Sequence, residues 1–160
     1  MEADLDEGPA LQDVLQVHCY GCGALNARGL QIKSRWQGGE LVCSWRPGPQ
    51  HIGHPGYVFG GTIASVVDCH AVWTALAWHC RDNGHDLAAG PPAQAFVTAS
   101  LSISFLKPAR SAQPLELRAS VREVSGRKYA VTCTVESARQ VCAQAEVLVV
   151  AVPAERLQAA

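Results

Sequence analysis

The chain has 160 residues, which is enough for one domain with a hydrophobic core and too few for two domains of ordinary size. Its formal net charge is −1 and 48% of its residues are hydrophobic, which excludes a disordered chain and a polyelectrolyte. The sequence has no basic stripe with interleaved aromatic residues, so nucleic acid is not an expected partner.

The first ten residues are rich in Asp and Glu, and we predict that residues 1–10 form a disordered acidic tail. A secretory signal peptide begins with positive charge, which this segment does not have. We therefore expect a cytoplasmic protein. The seven cysteines are accordingly expected to be reduced thiols.

Residues 18–30 are rich in glycine and in turn-forming residues, and they contain a Cys-x-x-Cys pair, Cys19 and Cys22, beside His18. A structural zinc ion takes four ligands, whereas this segment supplies two or three, and the chain has no second Cys-x-x-Cys. A redox role of the thioredoxin kind needs a helix start and a βαβ context. We therefore favour a structural turn and expect no bound metal, with zinc as the less favoured interpretation.

Alternating apolar and polar residues predict a hairpin, with one strand from Leu30 to Trp36 and the other from Leu41 to Trp45. The next predicted element is a helix that follows Phe59. From residue 63 to residue 78 nearly every position is apolar or small, so this helix has no polar face and must be buried on almost every side. It is too short to span a membrane, and no membrane association is expected.

From residue 94 the hydrophobic period changes to two, which predicts four long antiparallel strands. Each strand has one apolar face, and the long helix is the element that can cover those faces. The expected fold class is α+β, with one domain over residues 11–153. In that domain an antiparallel sheet wraps around one buried helix, which is the hotdog arrangement. Residues 154–160 are expected to be a C-terminal tail.

Three motifs, in order between Cys19 and Val150, resemble the hotdog-fold thioesterases of the phenylacetate-pathway (PaaI-like) type. Cys-Tyr-Gly-Cys-Gly at residues 19–23 is similar to the opening segment of many members. Phe-Gly-Gly at residues 59–61, followed by Asp68, resembles the His-Gly-Gly…Asp/Glu signature. Residues 102–109 resemble the long strand that ends in an aromatic residue, a basic or small residue, and Pro-Ala.

The resemblance implies acyl-CoA hydrolysis without a cofactor, at sites in the interface of a homodimer or of a homotetramer made of two dimers. It implies that Asp68 is the catalytic carboxylate and that the Gly60 N–H polarises the thioester carbonyl. Thr98 matches a Ser/Thr that helps to place water, and His54 lies where many members have Asn. Phe59 departs from the signature because it replaces the histidine, which changes how the carbonyl end is held.

The residue chemistry agrees with this assignment on its own terms. Free N–H groups in the first turn of a helix stabilise a developing oxyanion, and glycine at Gly60 and Gly61 allows close approach of a carbonyl. Asp68 lies about 12 Å further along the same helix, so it cannot easily serve a carbonyl at its own helix start but could serve one at a partner's. The alternative is a carboxylate that caps or pairs within the core. However, no Lys or Arg lies between Arg46 and Arg81 to pair with it locally.

We expect Phe59 and Gly61 to contact the substrate at the helix start, and Lys107 and Arg110 to hold the phosphates of coenzyme A. An ordinary solvated surface is the alternative for both cations. Two other functions stay open: a non-catalytic acyl-CoA-binding hotdog domain, favoured by Phe59, and a hotdog hydratase or dehydratase, which needs a paired His and acid. Whether Asp68 is a nucleophile or a general base is also left open.

Overall fold

A computed structural model describes residues 8–158 of the chain. The acidic tail predicted for residues 1–10 lies outside this part except for its last three residues, of which Ala10 is fully buried. At the other end, the predicted C-terminal tail begins with a helix of 4 residues, and residues 159–160 lie outside the described part. The described part contains three α-helices, two 3₁₀-helices and six strands. Their bounds are α1 Leu11–Val14, β1 Ser34–Gln37, β2 Glu40–Trp45, 3₁₀ Pro49–His51, α2 Gly60–Asp82, 3₁₀ Leu87–Ala89, β3 Gln94–Phe105, β4 Leu115–Ser125, β5 Lys128–Ser137, β6 Gln140–Pro153 and α3 Glu155–Gln158.

The six strands form one antiparallel sheet in the order β1-β2-β4-β5-β6-β3, and α2 packs against it. Alternate residues of β2, β4, β5 and β6 are buried, as the period-two patterns predict. The α+β hotdog prediction is therefore confirmed. No helix within residues 8–158 is both long enough and apolar enough to cross a membrane.

The first strand begins later than its sequence pattern predicts. Gln31 has a positive φ of 50°, which interrupts the extended chain. The N–H groups of Leu30 and Ile32 donate to the carbonyls of Tyr20 and Gly21, at 2.8 and 3.2 Å. This part of the predicted strand therefore binds the glycine-rich loop, and pairing with β2 starts only at Ser34.

The helix α2 begins directly after Phe59, as predicted, and runs for 23 residues to Asp82. It is buried over most of its surface but not on every side. A stripe at three- and four-residue spacing remains half-buried or exposed within the chain, and it consists of Gly61, Ser65, Asp68, Val72 and Leu76. This stripe is the part of the helix that the chain's own sheet does not cover.

A buried hydrogen-bond network fixes the opposite side of α2, around His70. The His70 Nε2–H donates to the carbonyl of Leu41 at 2.9 Å, and Nδ1 accepts from the Ser34 hydroxyl at 2.9 Å. Gln12 completes the network, because its amide donates to Ser34 Oγ at 3.0 Å and accepts from the Ser34 N–H at 2.8 Å. Burial lowers the pKa of His70 to about 4, so the ring is neutral. His70 therefore packs as a neutral, hydrogen-bonded core residue.

The strand β3 lies at the edge of the sheet and pairs on one side only, with β6. From Thr98 to Leu106 its side chains are exposed, except for the half-buried Ile103. The register against β6 shifts between Thr98 and Ser100, which is a β-bulge. The edge next to the open stripe of α2 is therefore long and partly apolar, and no strand among residues 8–158 pairs with it.

Candidate active site

Asp68 and Thr98 form a direct contact between α2 and β3. The Thr98 hydroxyl donates a hydrogen bond to Asp68 Oδ1 at 2.5 Å. The β-bulge after Thr98 breaks the regular alternation at the point where its side chain meets the helix. Asp68 is half-buried, and within residues 8–158 it makes no ion pair. Among the described residues the carboxylate is thus held by one neutral donor through Oδ1, and its other oxygen is available to a substrate or a water molecule.

The start of α2 presents free backbone donors. The carbonyl of Phe59 accepts from the N–H groups of Thr62 and Ile63, at 3.0 and 3.2 Å. In the described part of the chain the N–H groups of Gly60 and Gly61 have no such partner, and no side chain caps this end of the helix. Two donors at the positive end of a 23-residue helix can therefore bind a carbonyl oxygen or an anion.

A groove of about 660 Å³ opens at this helix start. Its walls come from the loop before α2, from the first turn of α2, and from the end of β3 with the residues after it. The lining residues are Gly53, His54, Tyr57, Val58, Phe59, Gly60, Ile63, Phe105, Leu106, Lys107, Pro108 and Ala109. The groove is mostly apolar, and it brings together four of the predicted site residues, His54, Phe59, Gly60 and Lys107.

Phe59 separates this groove from a second depression of about 410 Å³. The second depression is more polar, since Tyr20, Arg28 and Ser65 contribute to its lining, and Gly61 lies there and not in the groove. The Phe59 ring covers Gly61 so closely that a Cβ at Gly61 would be 2.4 Å from the ring. Phe59 itself is 56% exposed. Its ring is therefore a wall that faces both spaces.

The two expected cations differ in position. Lys107 lines the groove, whereas Arg110 lies beside it, where its backbone pairs with Tyr57. Both side chains are exposed, and neither makes an ion pair within residues 8–158. They are free to meet phosphates, which stays a prediction. His54 is exposed at the rim of the groove.

Gly60 and Asp68 do not share one site within the chain. They are separated by two turns of the same helix, about 12 Å along its axis. Phe105, at the end of β3, lies over Gly60, because a Cβ built on Gly60 would be 3.5 Å from the ring. Thr98, near the other end of the exposed part of β3, lies over Asp68. Each chain thus holds two half-sites, one formed by Gly60 with Phe105 and the other by Asp68 with Thr98. Along β3 they are seven residues apart.

A cluster of three thiols lies one residue beyond Asp68, and the sequence reasoning found only two of them. Cys69 on α2 meets Cys19 and Cys22 of the glycine-rich loop, with all three Sγ atoms within 4.8 Å of one another. A hydrogen bond from the Cys69 thiol lowers the pKa of Cys22 to about 6, and the same contact raises the pKa of Cys69. Cys69 was missed because a cysteine in an apolar helix is normally a small core residue.

Comparison with known proteins places this geometry in a family. Residues 55–144 match the sequence profile of the thioesterase superfamily. A thioesterase superfamily protein from Shewanella loihica is 33% identical, covers 86% of this chain and 96% of its own, and superposes with a TM-score of 0.65. The PaaI protein of the Escherichia coli phenylacetic acid degradation operon superposes with a TM-score of 0.59 at 17% identity, over 77% of this chain and 80% of its own.

Among curated proteins, the acyl-coenzyme A thioesterase THEM4 of Rattus norvegicus is 28% identical over 98 residues. The match covers 61% of this chain and 36% of the rat protein, so the chain spans about a third of the length of that relative. The fold is a hotdog domain, and its two half-sites present the carboxylate of Asp68 and the free backbone N–H groups at the start of α2. The chain belongs to the thioesterase superfamily.

Proposed function

We propose that the protein is an acyl-CoA thioesterase that acts as a homodimer, with Asp68 of one subunit and Gly60 of the other at each site. The observation that carries the proposal is the hydrogen bond from Thr98 to the half-buried, cation-free carboxylate of Asp68. A carboxylate with a purely structural role would be expected to pair with a cation or to cap a backbone N–H, and among residues 8–158 Asp68 does neither. The similarity to an acyl-coenzyme A thioesterase supports the choice of substrate class.

The proposed reaction is addition of water to the thioester carbonyl followed by loss of the CoA thiol. Asp68 takes a proton from the attacking water as the new C–O bond forms, and the oxyanion is held by the Gly60 N–H of the partner subunit. When the C–S bond breaks, the proton on Asp68 passes to the leaving sulfur. The products are a carboxylic acid and free CoA. Direct attack by Asp68, with a mixed anhydride as intermediate, is the second version of the same function.

The groove at Gly60 provides room for the apolar part of the thioester next to the carbonyl. Phe59 and Phe105 supply aromatic surface on either side of the donor, and Lys107 supplies charge within reach of the same opening. We propose that Lys107, together with the neighbouring Arg110, contacts the phosphates of coenzyme A, since both are free of ion pairs among residues 8–158. His54 at the rim is proposed to contact the substrate or the attacking water.

The first test removes the carboxylate. Asp68→Asn keeps the volume of the side chain but cannot accept a proton, so kcat should fall about 10²-fold or more. The measurement is loss of the acyl-CoA peak by chromatography, which avoids thiol reagents that react with the protein's own cysteines. A rate near that of the wild type would show that Asp68 is not the catalytic group.

The second test removes a single N–H group. Proline is favoured at the first position of a helix, which is where Gly60 lies. The preceding residue, Phe59, has φ −62° and ψ 130°, the extended conformation that a residue before proline prefers. Gly60→Pro should therefore keep the helix and lower kcat about 10²- to 10³-fold. Gly60→Ala is the matched control, because it keeps the N–H and its Cβ would make an ordinary contact of 3.5 Å with Phe105. Equal activity of the two variants would exclude the Gly60 N–H as the oxyanion donor.

The alternative function is binding of acyl-CoA without hydrolysis, and Phe59 in place of the signature histidine favours this hypothesis. Calorimetric binding of acyl-CoA that leaves the thioester intact, in wild-type protein with a verified fold, would replace the catalytic proposal by this one.

A further inference from the structure

The thiol cluster beside Asp68 has the spacing of a metal site. The Sγ atoms of Cys19 and Cys69 are 3.6 Å apart, and Cys22 Sγ lies within 4.8 Å of both. Two thiolates on one tetrahedral zinc ion are about 3.8 Å apart, because each Zn–S bond is about 2.3 Å long. The ligands come from positions 50 residues apart in the sequence, so their convergence is a property of the fold and not of one local turn.

The loop that carries Cys19 and Cys22 is shaped around these sulfur atoms. The Gly23 N–H donates to the Cys19 carbonyl at 2.8 Å, which closes the turn between the two cysteines. A Cβ on Gly21 would be 2.3 Å from Cys69 Sγ, so only glycine at this position leaves room for the third sulfur. A Cβ on Gly23 would be 2.4 Å from the Cys19 carbonyl oxygen. Gly21 is thus required by the approach of the loop to α2, and Gly23 by the tight turn within the loop itself.

The donor set selects the class of metal. Three thiolates are soft ligands, which favour zinc or cuprous ions over magnesium or calcium. An iron–sulfur cluster takes four cysteine ligands, whereas within residues 8–158 no fourth His, Cys, Asp or Glu belongs to the cluster. His18 is next to Cys19 in sequence but is not part of it. Cys19 is exposed, so water can reach a fourth coordination position.

We propose that Cys19, Cys22 and Cys69 bind one zinc ion, with water as the fourth ligand. The ion ties the glycine-rich loop to α2 one residue beyond Asp68, and its role is to hold this loop on the helix. This proposal differs from the interpretation of Cys19 and Cys22 as a plain turn, because α2 supplies a further ligand, Cys69, that the sequence motif does not contain. The site is separate from the proposed hydrolysis and is tested without reference to activity.

The experiment measures metal content and metal spectroscopy in matched variants of one helix. Wild-type protein, Cys69→Ala and Cys80→Ala are purified without chelator, their folds are compared by circular dichroism, and zinc and copper are measured by elemental analysis. Cys80 is a buried cysteine of α2 outside the cluster, so Cys80→Ala controls for loss of a thiol from this helix. Reduced, metal-free samples are then titrated with Co²⁺, which gives a thiolate-to-metal charge-transfer band when bound by cysteines.

We expect one zinc ion per chain and a cobalt charge-transfer band in the wild type and in Cys80→Ala, and loss of both in Cys69→Ala. Chelation should lower the melting temperature of the wild type and of Cys80→Ala but not of Cys69→Ala. Cys19→Ala is a second variant, on the exposed loop, that should lose the metal even if Cys69→Ala does not fold. Equal zinc in all variants, copper in place of zinc, a disulfide between Cys19 and Cys69 in the purified protein, or no binding by the reduced wild type would each overturn the proposal.

Discussion

Phe59 is the residue at which the chain departs from the family signature, and its position suggests a role in substrate choice. The ring forms a wall of the groove beside Gly60 and is more than half exposed, so an acyl group can contact it directly. Phe59→Ala should therefore weaken hydrolysis of large and aromatic acyl groups most, by at most a few kcal/mol of lost contact. The measurement is kcat/KM for acetyl-, hexanoyl- and phenylacetyl-CoA in both proteins.

A different result is expected if the main role of Phe59 is its contact with Gly61. Because the ring also covers Gly61, the substitution could loosen the helix start. In that case all three substrates would lose the same factor, and Phe59 would position the donors without selecting the acyl group.

Thr98 is expected to act through Asp68 as a positioning residue. Thr98→Val removes the hydroxyl at nearly constant volume and should lower kcat about tenfold, the equivalent of about 1.4 kcal/mol for one hydrogen bond to a charged group. KM should change little, and Thr98→Ser should restore most of the rate. Ser102→Ala, on the same exposed stretch of β3, is the matched control. A Thr98→Ser variant as slow as Thr98→Val would argue for a packing role.

At this scale the sequence predicts residue types better than contacts. Asp68 and the two glycines could be singled out because a carboxylate and a Gly-Gly pair are unusual in an apolar helix. The hydrogen bond between Asp68 and Thr98 joins residues 30 positions apart and depends on a bulge in β3, which period-two alternation does not reveal. Cys69 carries no local signal at all, since only the path of the glycine-rich loop brings it to Cys19.

The hydrophobic period predicts most of the helices and strands, with two exceptions: the start of the first strand and the burial of α2. The alternating pattern from Leu30 predicts a strand, but Gln31 has a positive φ that interrupts it, and Leu30 and Ile32 bond to the glycine-rich loop. Burial of α2 on nearly every side was inferred from its composition, yet its stripe through Asp68 stays open within one chain. Composition alone cannot distinguish a helix face that packs in the core from one that the described part of the chain leaves open.

The network that anchors α2 makes the fold sensitive to acid. His70 has a pKa of about 4 in the folded protein against an ordinary value of 6.5, because burial disfavours its charged form. Between these values the unfolded chain binds a proton that the folded chain does not, so stability is lost as the pH falls from about 6.5 to about 4. Wild-type protein should lose about 2 kcal/mol between pH 7 and pH 5 from this group alone.

The check is urea unfolding at both pH values, at one protein concentration, for wild type and His70→Gln. Glutamine does not titrate, and its amide can still donate to the Leu41 carbonyl. The variant should be less stable at pH 7 but should lose less stability on acidification. Parallel losses in the two proteins would mean that other groups cause the acid sensitivity.

The whole molecule is expected to be a dimer joined through β3. The edge strand β3 has 12 residues, and its exposed part carries apolar side chains such as Leu101 and Phe105; such an edge is normally paired or covered. Antiparallel pairing of two β3 strands, centred between Leu101 and Ser102, would bring Phe105 of the partner subunit opposite Thr98. Since Phe105 lies over Gly60 and Thr98 over Asp68, this pairing joins the two half-sites. Light scattering of an active sample that shows only monomer would exclude it.

A mixed dimer tests this shared site directly. In a heterodimer of one Asp68→Asn chain and one Gly60→Pro chain, one site carries both defects and the other carries neither. Two inactive parents should therefore give a heterodimer with about half of the wild-type activity, after co-expression with two different tags and isolation through both. A site contained within one chain predicts no recovery, because each chain keeps its own defect. The reciprocal control combines wild type with a chain that carries both substitutions. That heterodimer should be inactive if the sites are shared, and half-active if each chain holds a complete site.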